Sequence, residues 1–274
     1  MKNKVGYTIQ PPAVAGLFYP EEPNTLQHDV DQFLVQAQSG ALTKVPTGRR
    51  IKALIAPHAG YVYSGAVAAA AYTQLHKYAK EIRRVVIFAP AHRFAFTGLA
   101  TSSADRFQTP LGTIAVDKAG RQQLIDSASS VHTLDEAFYQ EHALEVQLPF
   151  LQRILGDFVL LPLLVGDVSS LEVENVMRQC WGGPETLIVV SSDLSHFHDY
   201  DTAERMDKHT SAGIEALRPE NIATGDACGR IPINGLLLAA KEKGLQAKTV
   251  ARCNSGDTAG DKQRVVGYGA YVFT

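Results

Sequence analysis

The sequence is poor in the features that would place it in several large protein classes. It has only three cysteines, Cys180, Cys228 and Cys253, in 274 residues, and this odd number at wide spacing argues against a disulfide framework. Its longest apolar run, FVLLPLLV, is too short to span a bilayer and contains a proline. The amino-terminal stretch MKNKVGYTIQ lacks the continuous apolar segment of a secretion signal. We therefore expect a cytoplasmic protein with no membrane partner.

Blocks of like charge and the common catalytic signatures are also missing. The 26 basic and 28 acidic residues give a formal net charge of −2 and are spread along the chain, so nucleic acid is not expected as a partner. The stretch GYVYSGA lacks the order of a G-x-S-x-G nucleophile elbow, and no Walker A or G-x-G-x-x-G motif follows a predicted strand. The sequence therefore gives no sign of a nucleophile-elbow hydrolase, a P-loop nucleotide-binding protein or a dinucleotide-binding protein.

What the chain does contain is an alternation of β-prone apolar runs with helical patterns. The predicted strands are 51–55, 84–88, 158–165, 186–190 and 265–273. The predicted helices are 24–38, 65–78, 119–127, 141–155, 171–180, 202–217 and 232–243. Residues 97–116 predict a hairpin on the rim. The alternation predicts a single-domain α/β fold over residues 1–274, with three layers and a central, largely parallel, mixed sheet flanked by helices.

Histidines follow three of the predicted strands. LIAPHAGYVYSG places His58 just after 51–55, and VVIFAPAHRFAFTG places His92 just after 84–88. SSDLSHF places Asp193 and His196 after 186–190. Because residues that follow parallel strands gather along one edge of the sheet, we expect these side chains to converge. Converging imidazoles suit iron, copper, zinc or nickel.

A further ligand is needed, and the sequence offers a thiol and several carboxylates. Cys228 lies in GDACGRIPINGLLL, just before a predicted helix whose amino terminus would lower the pKa of the thiol and favour the thiolate. Asp193, Glu141 and Glu145 are the carboxylate alternatives. His196 could be a ligand, a general acid or base, or a polar loop residue, and the acid–base role ranks first.

The stretch YQEHALEVQLPF suggests a rival site. In a helix, His142 and Glu145 would have the i, i+3 spacing of a metal-binding pair, which would suit a zinc hydrolase, although the second histidine of an H-E-x-x-H motif is missing. We favour an arrangement in which His142 or Glu141 faces the pocket and either holds a ligand ring or contacts the substrate. Three tyrosines, Tyr19, Tyr61 and Tyr63, are candidates to line that pocket, or else core or surface aromatics.

Several segments together resemble one known family. They are PAVAGLFYP, APHAGYVYSG, PAHR, EHALEVQLPFL, LLVGD, SSDLSHF, ACGRIPI and NSGDTAGDKQRVVGYGAY. In this order, from about residue 12 to the end of the chain, they resemble the MEMO family, also called AmmeMemoRadiSam system protein B.

This resemblance implies a fold and a set of site residues. The family is similar in fold to the LigB-type class III extradiol dioxygenases, which are non-haem iron enzymes with two histidines and one carboxylate around the metal. The resemblance implies His58 and His92 as the imidazole ligands and His196 as the acid–base histidine. It puts Cys228 in the place of the third, carboxylate, ligand, which makes the site softer and shifts it toward copper, zinc or a differently tuned iron.

Two functions are expected from these features. The first is an oxidoreductase with Fe(II), or with copper or zinc, held by His58, His92 and Cys228. In it, His196 moves a proton of a small substrate, aromatic in the extradiol enzymes, and Asp193 orients the ring of His196. The second is a metal- or ligand-binding interaction protein without turnover. The family's prokaryotic name implies radical-SAM and AMMECR-type proteins as its partners.

Overall fold

The computed structural model describes residues 6–39 and 49–274, and its strands form one mixed sheet of twelve strands. The strands are β1 (Ile9–Gln10), β2 (Ala53–Ala56), β3 (Arg84–Pro90), β4 (Leu99–Thr101), β5 (Arg106–Thr109), β6 (Gly112–Val116), β7 (Val131–Thr133), β8 (Val159–Val165), β9 (Thr186–Ser191), β10 (His196–His198), β11 (Ala247–Asn254) and β12 (Val265–Phe273). The mixed α/β architecture is therefore confirmed.

The centre of the sheet is parallel, and its margins contain both antiparallel and parallel pairs. The strand order is β1-β5-β6-β8-β3-β9-β2-β12-β10, with β11 paired to β12 and with β4 paired to β7 and β8. Strands β6, β8, β3, β9 and β2 run parallel to one another. Strands β5 and β6 form the predicted antiparallel hairpin. As a result, the carboxyl ends of β3, β9 and β2 lie side by side.

Seven α-helices in the described residues cover both faces of the sheet. They are α1 (Pro23–Ser39), α2 (Tyr61–Tyr72), α3 (Lys118–Ser127), α4 (Leu148–Leu155), α5 (Ser170–Cys180), α6 (Tyr200–Glu215) and α7 (Arg230–Glu242). Residues of α1, α2 and α4 join one apolar core, and residues of α3, α5, α6 and α7 join the other. The three predicted layers are present.

The central strands contribute side chains to both apolar cores, because successive residues of a β-strand point to opposite faces of the sheet. On β3, Val85 and Ile87 belong to the core with α2, whereas Val86 and Phe88 belong to the core with α5. All four are fully buried. This explains why these strands appear in the sequence as continuous apolar runs rather than alternating ones.

Some predicted boundaries are wrong. The predicted helix 141–155 is an irregular segment followed by a 3₁₀ turn at Glu145–Gln147, and only α4 is helical. The predicted helix 65–78 begins earlier, at Tyr61, and its last turns are a 3₁₀ helix, Thr73–Tyr78. Strand β3 extends two residues beyond its predicted end, to Pro90, which is paired with Val165. The edge strand β11 was not predicted.

None of the helices within residues 6–39 and 49–274 is both long enough and apolar enough to cross a bilayer.

A lysine ties the amino-terminal ends of two central strands together. Lys52 precedes β2, and its Nζ donates hydrogen bonds to the carbonyls of Trp181, at 2.5 Å, Gly183, at 2.9 Å, and Thr186, at 2.8 Å. The ammonium also lies 5.4 Å from the centre of the Trp181 ring. The turn that leads into β9 is thus held by one charged group.

We expect Lys52→Met to lower the free energy of unfolding by about 2–3 kcal/mol, since charge-assisted hydrogen bonds are lost and partly buried carbonyls are left unpaired. Urea denaturation followed by circular dichroism measures the change. Lys80→Met, which replaces an exposed lysine, is the matched control. Equal midpoints for the two variants would contradict the role assigned to Lys52.

Candidate metal centre

Three neighbouring strand ends build the site. His58 lies two residues beyond Ala56, the last residue of β2, and His92 lies two residues beyond the end of β3. Strand β9 runs between them and ends at Ser191. In the parallel register, Ser191 is paired with Ala56. The two histidines therefore approach each other across the end of β9, and their ring centres are 5.2 Å apart.

The two imidazoles meet the predicted thiol. Cys228 Sγ lies 3.2 Å from His58 Nε2. One ring nitrogen of His58, one of His92 and the sulfur of Cys228 all lie within 4.8 Å of one another. Two nitrogens and one sulfur at such distances are a donor set that could hold iron, copper or zinc.

His58 is buried and held from two sides. Its backbone N–H donates to Asp193 Oδ1 at 2.7 Å, and its Nδ1 lies 2.9 Å from Ser191 Oγ. Burial, and then the nearby His92, lower the pKa of His58 well below its usual value. The ring is thus neutral at physiological pH, which is the form that binds a metal ion.

His92 is held by a buried carboxylate. Glu141 Oε2 accepts the backbone N–H of His92 at 2.5 Å, and Glu141 Oε1 lies 3.0 Å from His92 Nδ1. Oε1 also accepts the backbone N–H groups of His142 and Ala143, each at 2.9 Å. Burial alone would raise the pKa of Glu141, but the hydrogen bonds and charge of His92 and the backbone N–H groups outweigh it and lower the pKa to about 2. Glu141 therefore orients the ring of His92.

Cys228 lies just before α7, on a loop packed against the end of β9. Its Sγ accepts the backbone N–H of Asp193 at 3.3 Å. Gly229 approaches the same strand end so closely that a Cβ there would lie 2.8 Å from the carbonyl oxygen of Ser191. Burial, and then the charge of Asp193, raise the pKa of the Cys228 thiol to about 12. The prediction that the start of the helix lowers this pKa is wrong, because desolvation is the stronger effect.

His196 and Asp193 do not form the predicted pair. His196 Nδ1 lies 2.8 Å from the carbonyl oxygen of Leu194, so this carbonyl orients the ring. The carboxylate of Asp193 is 4% exposed and anchors the backbone of His58 instead. Burial raises its pKa, against the hydrogen bond from His58. His196 itself lies on β10, which pairs antiparallel with the first residues of β12.

A cleft of about 330 Å³ opens beside the donor group. It is lined by Leu17, Phe18, Ala59, Gly60, Tyr63, His142, Asp193, His196, Val266 and Tyr268. Most of these residues are apolar or aromatic. The cleft is therefore suited to a small molecule with an apolar or aromatic body that presents a polar group to the histidines.

His142 lines the cleft and packs against the rings of His58 and His92. Its ring is stacked on that of His92 at 4.9 Å, meets the edge of His58 at 5.3 Å and lies 4.5 Å from the ring of Phe18. Burial, and then His58, lower the pKa of His142 to about 4. Its Nδ1 is buried and lies 3.3 Å from Glu141 Oε1 without forming a hydrogen bond. His142, His92 and Glu141 form a second close group, but the carboxylate of Glu141 is already occupied by N–H donors.

The pairing of His142 with Glu145, which the zinc hydrolase hypothesis requires, is absent. Glu145 accepts the backbone N–H groups of Ala13 and Val14, at 2.6 and 3.0 Å, and the hydroxyl of Tyr19 at 2.5 Å. Its carboxylate thus fastens the amino-terminal segment to the core. The hypothesis fails because residues 141–147 do not form the helix on which the spacing depended.

Tyr61 was a candidate to line the pocket, and its side chain lies in the core instead. It is 5% exposed, its hydroxyl donates to the carbonyl of Val146 at 2.8 Å, and its ring packs against Phe150. Two residues further along α2, Tyr63 lines the cleft. One face of the helix is buried and the other is not, so only one of the two tyrosines reaches the site.

Several site residues were not predicted from the sequence. Ser191, the hydrogen-bond partner of His58, lies in the quoted segment SSDLSHF, and Phe18 lies in PAVAGLFYP. Tyr268 of β12 also lines the cleft. A signal for Ser191 was available, because a serine that ends an apolar parallel strand must lie at the edge where the histidines gather. Nothing local distinguishes Phe18 or Tyr268.

Comparison with known proteins finds relatives over almost the whole length of the chain. A family model described as Memo-like protein matches residues 10–272. A MEMO1 family protein of Nitrosopumilus maritimus is 31% identical over 276 residues, which cover 97% of this chain and 99% of that protein. Another, from Methanosarcina mazei, is 33% identical over 280 residues, which cover 96% and 98%. The crystal structure of an uncharacterized protein from Escherichia coli K12 aligns with a TM-score of 0.47 and 12% identity, covering 81% of this chain and 99% of that chain.

We expect Cys228→Ser to weaken metal binding by more than about 100-fold, because loss of a direct ligand should exceed the 10–100-fold effect of losing a group that only orients one. Competition between the protein and a coloured chelator for Zn²⁺ measures the affinity. Cys253→Ser replaces another partly buried thiol and is the control. An unchanged affinity in Cys228→Ser would exclude this sulfur from the site.

Glu141→Gln should weaken metal binding by about 10–100-fold, because the amide cannot supply the negative charge that makes His92 a stronger donor and cannot accept all of the N–H groups at both of its ends. The same chelator competition measures this. Glu136→Gln alters an exposed glutamate of the same segment and should bind metal like the parent protein. If both variants behave alike, Glu141 does not support His92.

Proposed function

The chain belongs to the family of Memo-like proteins, and from this membership and the geometry of the site we propose that it is a metal-dependent oxidoreductase that acts on a small substrate. The observation that carries the proposal is the position of the donor group. His58, His92 and Cys228 bring their donor atoms within 4.8 Å of one another, beside a cleft that His196 lines.

We assign the metal ligands to His58, His92 and Cys228, with Fe(II) as the ion. The donor set supports the assignment, since imidazole and thiolate both bind iron in proteins. When bound, the ion would pass electrons from an oxidisable substrate to dioxygen and would supply a positive charge that acidifies a substrate hydroxyl. Copper and zinc suit the same soft donors, and zinc would bind without supporting redox chemistry.

The cleft supports a small planar substrate. Phe18, Tyr63 and Tyr268 supply aromatic surface, on which an aromatic ring packs favourably. A volume of about 330 Å³ is at the small end of ligand sites in proteins. His142, between the cleft and the ligand rings, is the residue that a substrate's polar group meets first on the metal side.

His196 is assigned the transfer of the substrate proton. The carbonyl of Leu194 can only accept a hydrogen bond, so the contact at 2.8 Å requires the proton of a neutral ring to sit on Nδ1. Nε2 then has a free lone pair. In a residue that lines the cleft, this atom can take the proton that a substrate hydroxyl loses, which is the task of a general base.

The likeness to LigB-type extradiol dioxygenases belongs to the same proposal. A three-layer fold with its site at the carboxyl ends of parallel strands is consistent with that architecture. The family resemblance implies that the thiol of Cys228 replaces the carboxylate ligand of those enzymes, so we propose ring cleavage only as one of several possible oxygen-dependent reactions. In this proposal, the feature common to both is a pair of strand-end histidines beside an acid–base histidine.

The same observation of a sulfur ligand favours a second function. A buried thiolate binds soft ions tightly, which suits a protein that holds a metal or ligand and presents it to partners without turnover. In this second proposal the partners are radical-SAM and AMMECR-type proteins.

Oxygen consumption distinguishes the two functions. The protein is reconstituted with Fe(II) without oxygen and is then mixed with oxygenated buffer and a panel of catechols, aminophenols and other small aromatics. The oxidoreductase proposal expects uptake that depends on substrate and stops in Cys228→Ser. Tight iron binding without uptake over the whole panel would contradict this proposal and favour the interaction role.

His196→Gln should lower the rate of substrate-dependent oxygen uptake by about 10²–10⁴-fold, the usual contribution of a general base, while the iron content stays unchanged. His198→Gln, two residues along the same short strand, should retain the rate. A variant at His196 with the parent rate would remove it from the mechanism, and a loss of iron would make it a ligand.

A further inference from the structure

A series of hydrogen-bonded, buried polar side chains leads from the core to the ring of His58. Its members are Tyr72, Gln147 and Ser191, which are all 0% exposed, and His58, which is 2% exposed. The Tyr72 hydroxyl lies 2.8 Å from Gln147 Oε1. Gln147 Nε2 lies 2.8 Å from Ser191 Oγ, and Ser191 Oγ lies 2.9 Å from His58 Nδ1. Because these side chains are closed off from solvent, the proton of each hydrogen bond must come from a protein group.

Two backbone carbonyls fix the orientation of the Gln147 amide. Nε2 lies 2.9 Å from the carbonyl oxygen of Pro57 and 3.4 Å from that of Ala56. Carbonyl oxygens accept and cannot donate, so this end of the amide must be its NH₂ group. The opposite end, Oε1, then accepts the hydroxyl proton of Tyr72. Gln147 is therefore a donor toward Ser191.

The hydroxyl of Ser191 has a single proton, and that proton is already donated to a backbone carbonyl. Ser191 Oγ donates to the carbonyl of Ala143 at 2.5 Å, and its first lone pair accepts from Gln147. A hydroxyl has two lone pairs, and the second one faces His58 Nδ1. Only a ring nitrogen that carries hydrogen can complete this contact.

We propose that Ser191 and Gln147 are positioning residues that lock His58 in the tautomer with hydrogen on Nδ1. The lock leaves the lone pair on Nε2, which faces Cys228 Sγ at 3.2 Å. The ring is then prepared to donate to a metal ion without first moving a proton, and Ser191 keeps the plane of the ring fixed. The consequence for metal binding rests on the proposed function, whereas the tautomer of the metal-free protein does not.

The tautomer can be read directly from nitrogen chemical shifts. Protein labelled with ¹⁵N-histidine and stripped of metal with a chelator is studied by long-range ¹H–¹⁵N correlation at neutral pH, and the His58 signals are assigned by their loss in His58→Gln. We expect wild-type His58 to show a protonated Nδ1 and an unprotonated Nε2. Finding the proton on Nε2 in the wild type would overturn the proposal without any variant.

Variants then test what holds the tautomer. Ser191→Ala should give a mixture of tautomers and weaken Zn²⁺ binding by about 10–100-fold, and Ser191→Thr, which keeps the hydroxyl, should restore both. Gln147→Met should have effects in the same direction, because it removes the N–H group that donates to Ser191 Oγ. Ser211→Ala removes another buried serine hydroxyl, one bonded to Asp207 and Tyr271, and should change neither quantity.

The outcomes separate this inference from the proposed function. If Ser191→Ala keeps both the Nδ1–H tautomer and the Zn²⁺ affinity of the parent protein, Ser191 does not hold the ring. An absence of oxygen uptake with the tautomer as expected would count against the oxidoreductase alone. Because the tautomer is measured without metal, the two failures cannot be confused.

Discussion

The site depends on the parallel pairing of three adjacent strands, β3, β9 and β2. Because they run in the same direction and in a register that places Ser191 beside Ala56, the chain leaves all three at one edge of the sheet. His58 and His92 leave from the outer two strands, and the middle strand supplies Ser191 and then Asp193. Antiparallel pairing of either outer strand would move its histidine to the opposite edge.

Beyond the strand ends, buried carboxylates hold the loop backbone in place by accepting hydrogen bonds from its N–H groups. Asp193 accepts the N–H of His58, and Glu141 accepts the N–H groups of His92, His142 and Ala143. Glu145 does the same for the amino-terminal segment at Ala13 and Val14. Each carboxylate costs desolvation energy, which is offset by several hydrogen bonds from N–H groups that the loop would otherwise leave unpaired. This explains why irregular segments can hold side chains in place around the site.

The sequence predicts the parts of this arrangement that follow from strand periodicity and fails where tertiary contacts decide. His58 and His92 could be placed near each other because the direction of parallel strands fixes where they end. The segment 141–147 was predicted as helix from its residue types, but Glu141 and Glu145 bind backbone N–H groups of distant segments, and no local pattern shows this. Tyr61 and Tyr63 look alike in the sequence and differ only in which face of α2 is buried. The raised pKa of Cys228 depends on its depth in the fold, which its place before a helix does not reveal.

The two imidazoles are supported by partners of different charge, and this difference shapes what the site can hold. His92 Nδ1 lies against the ionised carboxylate of Glu141, whereas His58 Nδ1 lies against the neutral hydroxyl of Ser191. A carboxylate partner makes an imidazole the stronger donor, so the two rings would be unequal donors to a metal ion. When Cys228 is ionised, its thiolate adds a negative charge close to Asp193, and burial makes such a pair of like charges costly. The protein without metal avoids that cost by keeping the sulfur protonated, and a bound cation removes it. The same burial that makes Cys228 a poor acid therefore couples its ionisation to the arrival of a positive ion.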